Sequence, residues 1–371
     1  MDARVVVAGG GPVGAALGLL LKGTVVLEAG RYPRDKACGE GLLPSGSRVL
    51  REAGVDLGRE GFPSISGVRY RIPGGDSCRA SFRSGRGFGV RRTRFDALLA
   101  ERAGVCSGVR VTGARAEPGR VVVETTEGTL SAAALVVADG LRSPLARQLG
   151  WWRGSRGASR FGLVGHLAWE HNQEDIEVTL LGGLETYLAP VGRGELLLAV
   201  LGGRQALRAT VGGTESRYRE VVLQAHPEMA DAPLLGRLRG AGPFSLRPRR
   251  VAQGRIFLAG DAAGFCDPLT GDAISAGLGQ ARELARLLDG DPGSAAASYQ
   301  SFCDAQWRRR RAVGALARRL SGSPRLARRA VRGLARRPGA LQALLEVNEG
   351  SRGFGALGPW DWAALAGLAR P

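Results

Sequence analysis

Lysine is almost missing from this 371-residue chain: only Lys22 and Lys36 occur among 52 basic residues, and the rest are arginine. A formal net charge of +18 invites a nucleic-acid reading. The arginine skew has the look of a usage bias, because no RNA-binding signature and no basic–aromatic interleaving accompanies it. The charge is also local. Twelve arginines and no acidic residue lie between Arg308 and Arg337, so two thirds of the net charge sits in thirty residues. Specific nucleic-acid binding is not expected.

Cysteine and histidine are scarce too. Cys38, Cys78, Cys106, Cys266 and Cys303 are odd in number and contain no CxxC pair, so no disulfide framework is indicated. His166, His171 and His226 form no ligand spacing with them, so no metal is expected. No stretch reaches the length of a membrane span without Gly, Pro or charge. The apolar start carries Asp2, a glycine cluster and no clean cleavage site, unlike a secretory leader. A reduced, cytoplasmic protein is the expectation. The 58 glycines show no three-residue period, which excludes a fibrous chain. With 44% hydrophobic residues the chain can build a sizeable core, as one large domain or two interleaved ones.

What is present begins with punctuation. The β-branched run Arg4–Ala8 leads directly into Gly9-Gly10-Gly11-Pro12-Val13-Gly14, an Ala/Leu-rich helix over 15–21, and a second buried strand, Thr24–Leu27, ending at Glu28-Ala29. Strand, glycine turn, helix and strand fit within one βαβ unit. Gly9 permits the tight turn, Gly11 lets the backbone approach a pyrophosphate, and Gly14 allows close helix–strand packing. A carboxylate at Glu28 is placed to accept from ribose hydroxyls. Two further strand ends repeat the theme: Leu135–Ala138 into Asp139-Gly140, and Arg255–Ala259 into Gly260-Asp261, followed by Asp267-Pro268-Leu269-Thr270-Gly271-Asp272-Ala273. Each alone is an Asp/Gly turn after a strand; the three in this order are far more specific. Short antiparallel strands are expected from Ile65 to Val90, an amphipathic helix over 92–103, a hairpin over 109–126, a mostly antiparallel sheet over 151–248, and helices from Ser294 onward.

On these motifs the chain resembles the FAD-dependent aromatic hydroxylase (para-hydroxybenzoate hydroxylase-like) superfamily over residues 4 to 290. The loop Lys36-Ala37-Cys38-Gly39-Glu40-Gly41 is similar to that of its geranylgeranyl-reductase-like branch. The resemblance implies an α/β fold: a Rossmann-type (GR2-like) FAD-binding domain with a mixed parallel sheet, built from 1–60, 91–150 and 250–295. It implies an antiparallel-sheet substrate domain from 61–90 and 151–249, and a helical, Arg-rich C-terminal region over 296–371. It places Gly9, Gly11, Pro12, Val13, Gly14, Glu28 and Ala29 on the ADP half of FAD, with Arg92 of Arg92-Thr93-Arg94-Phe95-Asp96 against the phosphates. Asp139 and Gly140 fall near FAD and the nicotinamide, and Asp261 after Gly260 on the ribityl chain. The segment Pro268, Gly271, Asp272 and Ala273 then leads a helix N-terminus to the flavin pyrimidine. NAD(P)H is the implied transient electron donor.

Two side chains stand as candidate catalytic groups, Cys38 and Tyr187. Cys38 is either beside the flavin or substrate, or a small filler of a glycine loop; Tyr187 belongs to Tyr187-Leu188-Ala189-Pro190, which keeps only Tyr and Pro of the reductase branch's Tyr-x-Trp-x-Phe-Pro strand. Ala273 also replaces a glycine frequent in that branch. The leading expectation is an NAD(P)H-dependent monooxygenase (hydroxylase) of a hydrophobic aromatic, polyketide or quinone-type small molecule. A geranylgeranyl-reductase-like reductase of prenyl double bonds is the first alternative, and a non-catalytic basic flavin-binding protein the second. The Arg-rich tail reads either as a solvated helical face or as a peripheral contact with an anionic membrane.

Overall fold

The β-branched runs come together as one sheet in the computed structural model, which describes residues 2–152, 160–208 and 213–367. Stretches 153–159 and 209–212 of the expected antiparallel sheet, and 368–371 of the tail, lie outside the described residues. Strand Asp2–Ala8 runs parallel to Thr24–Glu28 on one side and to Gly128–Val137 on the other. Ile256–Leu258 continues the parallel run past Gly128–Val137, and Cys106–Ser107 past Thr24–Glu28. Ala252–Gln253, Arg120–Thr125 and Val111–Glu117 add antiparallel strands, making a mixed sheet of eight. Val5, Val6 and Val7, like Leu135, Val136 and Val137, are fully buried, as expected of parallel strands covered on both faces.

Helices Pro12–Leu20, Arg92–Arg102 and Ala273–Leu288 pack into the same core through Ala15, Ala16 and Leu17, Phe95 and Leu99, and Leu278 and Leu284. The first comes close because Gly14 has no side chain: a Cβ there would stand 1.9 Å from the Gly9 carbonyl oxygen.

A second sheet of seven strands runs in the order Arg239–Ala241, Arg160–Ala168, Glu195–Gly203, Leu184–Gly192, Asp175–Leu180, Gly67–Arg71, Ser77–Ser81. All its pairings are antiparallel except that of Gly67–Arg71 with Asp175–Leu180. The alternation expected in its two central strands is present, yet both faces are apolar. Leu197, Ala199 and Leu201 enter one cluster; Leu196, Leu198 and Val200 enter another. The second cluster is closed by helix Gly213–Ala225, through Tyr218, Val221 and Val222. That helix falls inside the region read as mostly sheet, although apolar residues at 218, 221, 222 and 225 carry the helical period.

Four helices follow the first-sheet core. Ala295–Ser321 joins the first sheet through Tyr299 and Cys303. Pro324–Arg336, Pro338–Glu349 and Pro359–Leu365, each begun by a proline suited to the first helical turn, lie over the second sheet.

Candidate active site

The strands ending at Ala8, Glu28, Val137 and Leu258 stop at one edge, and the turns beyond them open a cleft of about 450 Å³, where open α/β sheets bind ligands. Gly9 has φ +115°, and a Cβ on it would stand 2.3 Å from the Ala138 carbonyl oxygen, so the two glycine turns touch. Gly11, by contrast, faces open space: the atom nearest a Cβ there would be Arg34 Nη2, 3.9 Å away. No side chain caps helix Pro12–Leu20 and no acid stands in its first turn, so its backbone N–H groups and positive dipole end face the cleft.

Glu28 lies beside this turn. Its carboxylate accepts from the Gly10 N–H at 2.8 Å and the Gly30 N–H at 2.9 Å, and pairs with Arg34 Nη1 at 2.5 Å. Burial raises its pKa, but these hydrogen bonds and the Arg34 charge outweigh it and hold the carboxyl below its ordinary range. Arg34 Nη2 and Asp139 Oδ1 are buried with no partner in the protein. A free cationic donor beside an open glycine backbone, with a carboxylate near the next turn, fits the phosphates and ribose of a dinucleotide.

At the other end, Gly260 and Asp261 follow strand Ile256–Leu258, and burial raises the Asp261 pKa. The turn from Asp267 to Ala273 completes the wall. Asp272, expected to face the cofactor, spends its carboxylate on Arg310, at 2.7 and 3.2 Å, and on Thr270 Oγ1 at 2.6 Å. Its part is to shape the turn. Helix Ala273–Leu288 begins there with no side-chain cap hydrogen bond and no acid in its first turn, leaving its N-terminal dipole free for a ligand that gains negative charge. The turn is fastened from behind by Arg318 to Asp267 at 3.1 Å and by Asn348 Nδ2 to the Thr270 carbonyl at 2.8 Å.

The Cys38–Gly41 loop forms the third wall. Glu40 is 1% exposed at φ 54°. It accepts from the Arg92 N–H at 2.9 Å, and lies 3.0 Å from His166 Nε2 and 3.4 Å from Arg91 Nη1. This buried side chain ties the loop to a helix start and to the second sheet, which supports the left-handed backbone. The two glycines around it are explained by Tyr187. A Cβ on Gly39 would stand 3.2 Å from the Tyr187 ring, and one on Gly41 2.0 Å from its hydroxyl. Cys38 Sγ accepts from the Glu40 N–H at 3.3 Å and meets the Arg92 guanidinium, which is clamped by Asp96 at 2.6 and 2.8 Å. Burial raises the pKa of Cys38, so the thiol is protonated at neutral pH; Tyr187 is raised for the same reason, and its hydroxyl has no partner in the protein.

Tyr187 and Gly271 are shared with a second cavity, of about 100 Å³. Its walls are aliphatic: Ile176 and Val178 of the second sheet, Leu269 of the turn, and Leu316, Val331 and Leu341 of the C-terminal helices. Among the described residues that line it, none is charged.

Of the residues named from the sequence, Gly11, Pro12, Val13, Cys38, Arg92, Asp139, Gly140, Tyr187, Gly260, Asp261, Pro268, Gly271, Asp272 and Ala273 line the 450 Å³ cleft. Gly9 and Gly14 lie behind it as packing, Glu28 stands beside its dinucleotide end, and Ala29 is exposed on the strand end. Sequence reading gave no site role to Arg34 or His166, and named Lys36 only as the first residue of the Cys38 loop. Lys36 lines the cleft, its pKa lowered by burial and by Arg34 and Arg92. Being one of two lysines, immediately before the Cys38 loop, was its available signal; His166 carried none.

A family profile described as an FAD binding domain matches residues 90–299. The chain is 30% identical over 325 residues to a menaquinone reductase of Mycobacterium tuberculosis, covering 78% of this chain and 77% of that one. Its fold is similar to a flavoprotein/dehydrogenase from Cytophaga hutchinsonii, with TM-score 0.82 and 19% identity over 94% of this chain and 93% of that one. It is also similar to a probable FAD-dependent monooxygenase from Pseudomonas aeruginosa, with TM-score 0.75 and 22% identity over 88% and 98%. No helix among the described residues is long and apolar enough to cross a membrane.

Proposed function

The chain belongs to the FAD-binding flavoproteins of the para-hydroxybenzoate hydroxylase-like superfamily, and from that premise we propose that it is a reductase that saturates a carbon–carbon double bond in an apolar, prenyl-bearing substrate such as a prenylated quinone. The observation that carries this reading is the junction at Tyr187: two protonated side chains, Cys38 and Tyr187, stand where the cofactor cleft meets an aliphatic cavity. The bound FAD, reduced by NAD(P)H, supplies the two electrons as a hydride.

The chain's own residues supply the rest. The aliphatic cavity seats an apolar segment and excludes water from the reacting carbon. Cys38 Sγ–H gives the proton, and the adjoining Arg92 guanidinium, held by Asp96, stabilises the thiolate left behind. The Tyr187 hydroxyl donates to an oxygen of the substrate head and orients it. Glu40 positions Cys38 and, through Gly39 and Gly41, leaves room for the Tyr187 ring. The hydroxylase expected from the sequence acts best on a ring activated by a base. On these walls Glu40, Asp267 and Asp272 are spent in ion pairs, and Asp139 and Asp261 stand in the turns after strands of the first sheet. The 30% identical menaquinone reductase supports the reductase side.

The test is anaerobic turnover of the FAD-loaded protein with NADPH or NADH and a menaquinone. After any quinol is reoxidised in air, mass spectrometry reads a quinone still two mass units heavier than the substrate, and Cys38→Ala keeps flavin reduction but loses that product. A product sixteen mass units heavier, formed only in air, would overturn the reading in favour of a hydroxylase.

A further inference from the structure

We propose that the outer face of helix Pro324–Arg336, together with Trp360 and Trp362, is a docking surface for an anionic lipid bilayer. The helix is two-sided. Ala327, Ala330, Val331 and Leu334 turn inward onto the second sheet, and three of them line the aliphatic cavity. Arg325, Arg328, Arg329, Arg332 and Arg336 recur at the three-and-four spacing that makes one stripe on a helix, and all are exposed. Arg332 is paired with Asp76 at 2.5 Å. Arg325, Arg328 and Arg329 have no ion pair among the described residues, and no acidic residue occurs between Arg308 and Arg337.

Charge alone would suit any polyanion. The apolar groups beside it narrow the choice. Helix Pro359–Leu365 packs on this helix, with the Gly333 backbone against Ala364, and carries Trp360 and Trp362, 67% and 42% exposed. Leu326, 39% exposed, lies among the arginines. These are three of five large hydrophobic side chains exposed among the described residues, and they gather on the C-terminal helices beside Arg325, Arg328 and Arg329. Arginines at headgroup level with tryptophans at the interface are the pattern of a helix that lies on a membrane. The same helix has the aliphatic cavity on its inner side, so a bilayer docked here faces the wall through which an apolar substrate reaches the cleft. That last link rests on the reductase reading; the surface itself does not.

The experiment is co-sedimentation of the FAD-loaded protein with large vesicles of phosphatidylcholine alone, or with 30% phosphatidylglycerol, in low and in 0.5 M salt, with no substrate and no turnover. Binding to anionic vesicles only, weakened by salt and accompanied by a blue shift of tryptophan emission, is the expected result. The triple variant Arg325→Gln/Arg328→Gln/Arg329→Gln should bind on the order of 100-fold more weakly, since each surface basic residue is worth about fivefold. Trp360→Ser should lose most of the blue shift, and both variants should keep full flavin content and an unchanged melting temperature, all four side chains being exposed. No binding to anionic vesicles at low salt, equal binding by the triple variant, or tighter binding to a single-stranded RNA than to vesicles would overturn the proposal. Because catalysis is not measured, those outcomes leave the reductase reading standing; conversely, a failed turnover assay leaves the vesicle result standing.

Discussion

Replacing Tyr187 by Phe should make the protein more stable and less active, two effects of opposite sign from one oxygen atom. The side chain is 4% exposed and its hydroxyl has no partner in the protein. Leaving such a group unsatisfied costs about 1–3 kcal/mol relative to water. Phenylalanine keeps the ring that fills the space above Gly39 and beside Gly271, so no cavity opens and most of that cost is relieved. A gain of about 1 kcal/mol is expected, seen as a melting temperature raised by roughly 1–3 °C in a chain of this size. In catalysis the same change removes a donor to the substrate head. At about 1–3 kcal/mol for a buried hydrogen bond, kcat/KM should fall roughly 5- to 150-fold. The assays are a thermal melt of the FAD-loaded protein and steady-state turnover with a menaquinone. A lower melting temperature would refute the unpaired hydroxyl, and an unchanged kcat/KM would refute its contact with substrate.

Three further outcomes follow from the geometry. Glu28→Ala strips the acceptor from the Gly10 and Gly30 N–H groups and releases Arg34, so FAD should bind about 10- to 100-fold more weakly in a fluorescence titration; unchanged affinity would remove Glu28 from the cofactor site. Glu40→Gln removes one of three carboxylates around Arg91, leaving Asp35 and Glu195, and should cost about 1 kcal/mol in urea unfolding, with Cys38 modified faster by a thiol reagent as its loop loosens. His226 is held to a pKa of about 4 by burial and by the nearby Arg71 charge, so the native state binds fewer protons than the unfolded chain between that value and 6.5. Stability from this site is full above pH 6.5 and is lost as pH falls toward 4, by an amount on the order of 2–3 kcal/mol; His226→Gln should flatten that part of the stability–pH curve.

The βαβ unit was legible because its signals are local: β-branched strands, glycines at the close contacts and a strand-end acid lie within some twenty residues. The antiparallel sheet was legible in period but not in burial, since alternation does not say whether the polar-looking side meets water or a helix. Helix Gly213–Ala225 was overlooked although its 218, 221, 222, 225 spacing was available. The Cys38 loop was found as a motif, while the reason for its glycines was hidden, because Tyr187 lies nearly 150 residues away. Arg34 and His166 acquire meaning only through partners, or the lack of them, in space. The tail shows the limit most plainly. Twelve arginines read alike in sequence, yet Arg310 is buried on Asp272 and Arg318, partly exposed, pairs with Asp267, while Arg325, Arg328 and Arg329 stand free of ion pairs among the described residues.

Arg310, Arg318 and Asn348 grip the turn from Asp267 to Asp272, and all three stand beyond residue 299, where the match to the common FAD domain stops. The helices that carry them also wall the aliphatic cavity. On the proposed reading, the wall that chooses the substrate and the brace behind the cofactor's turn are therefore inherited as a package. A lineage that reshapes these helices for a bulkier ligand alters its hold on the flavin side at the same stroke, and a tail grafted from a relative would have to bring its own clamps for that turn.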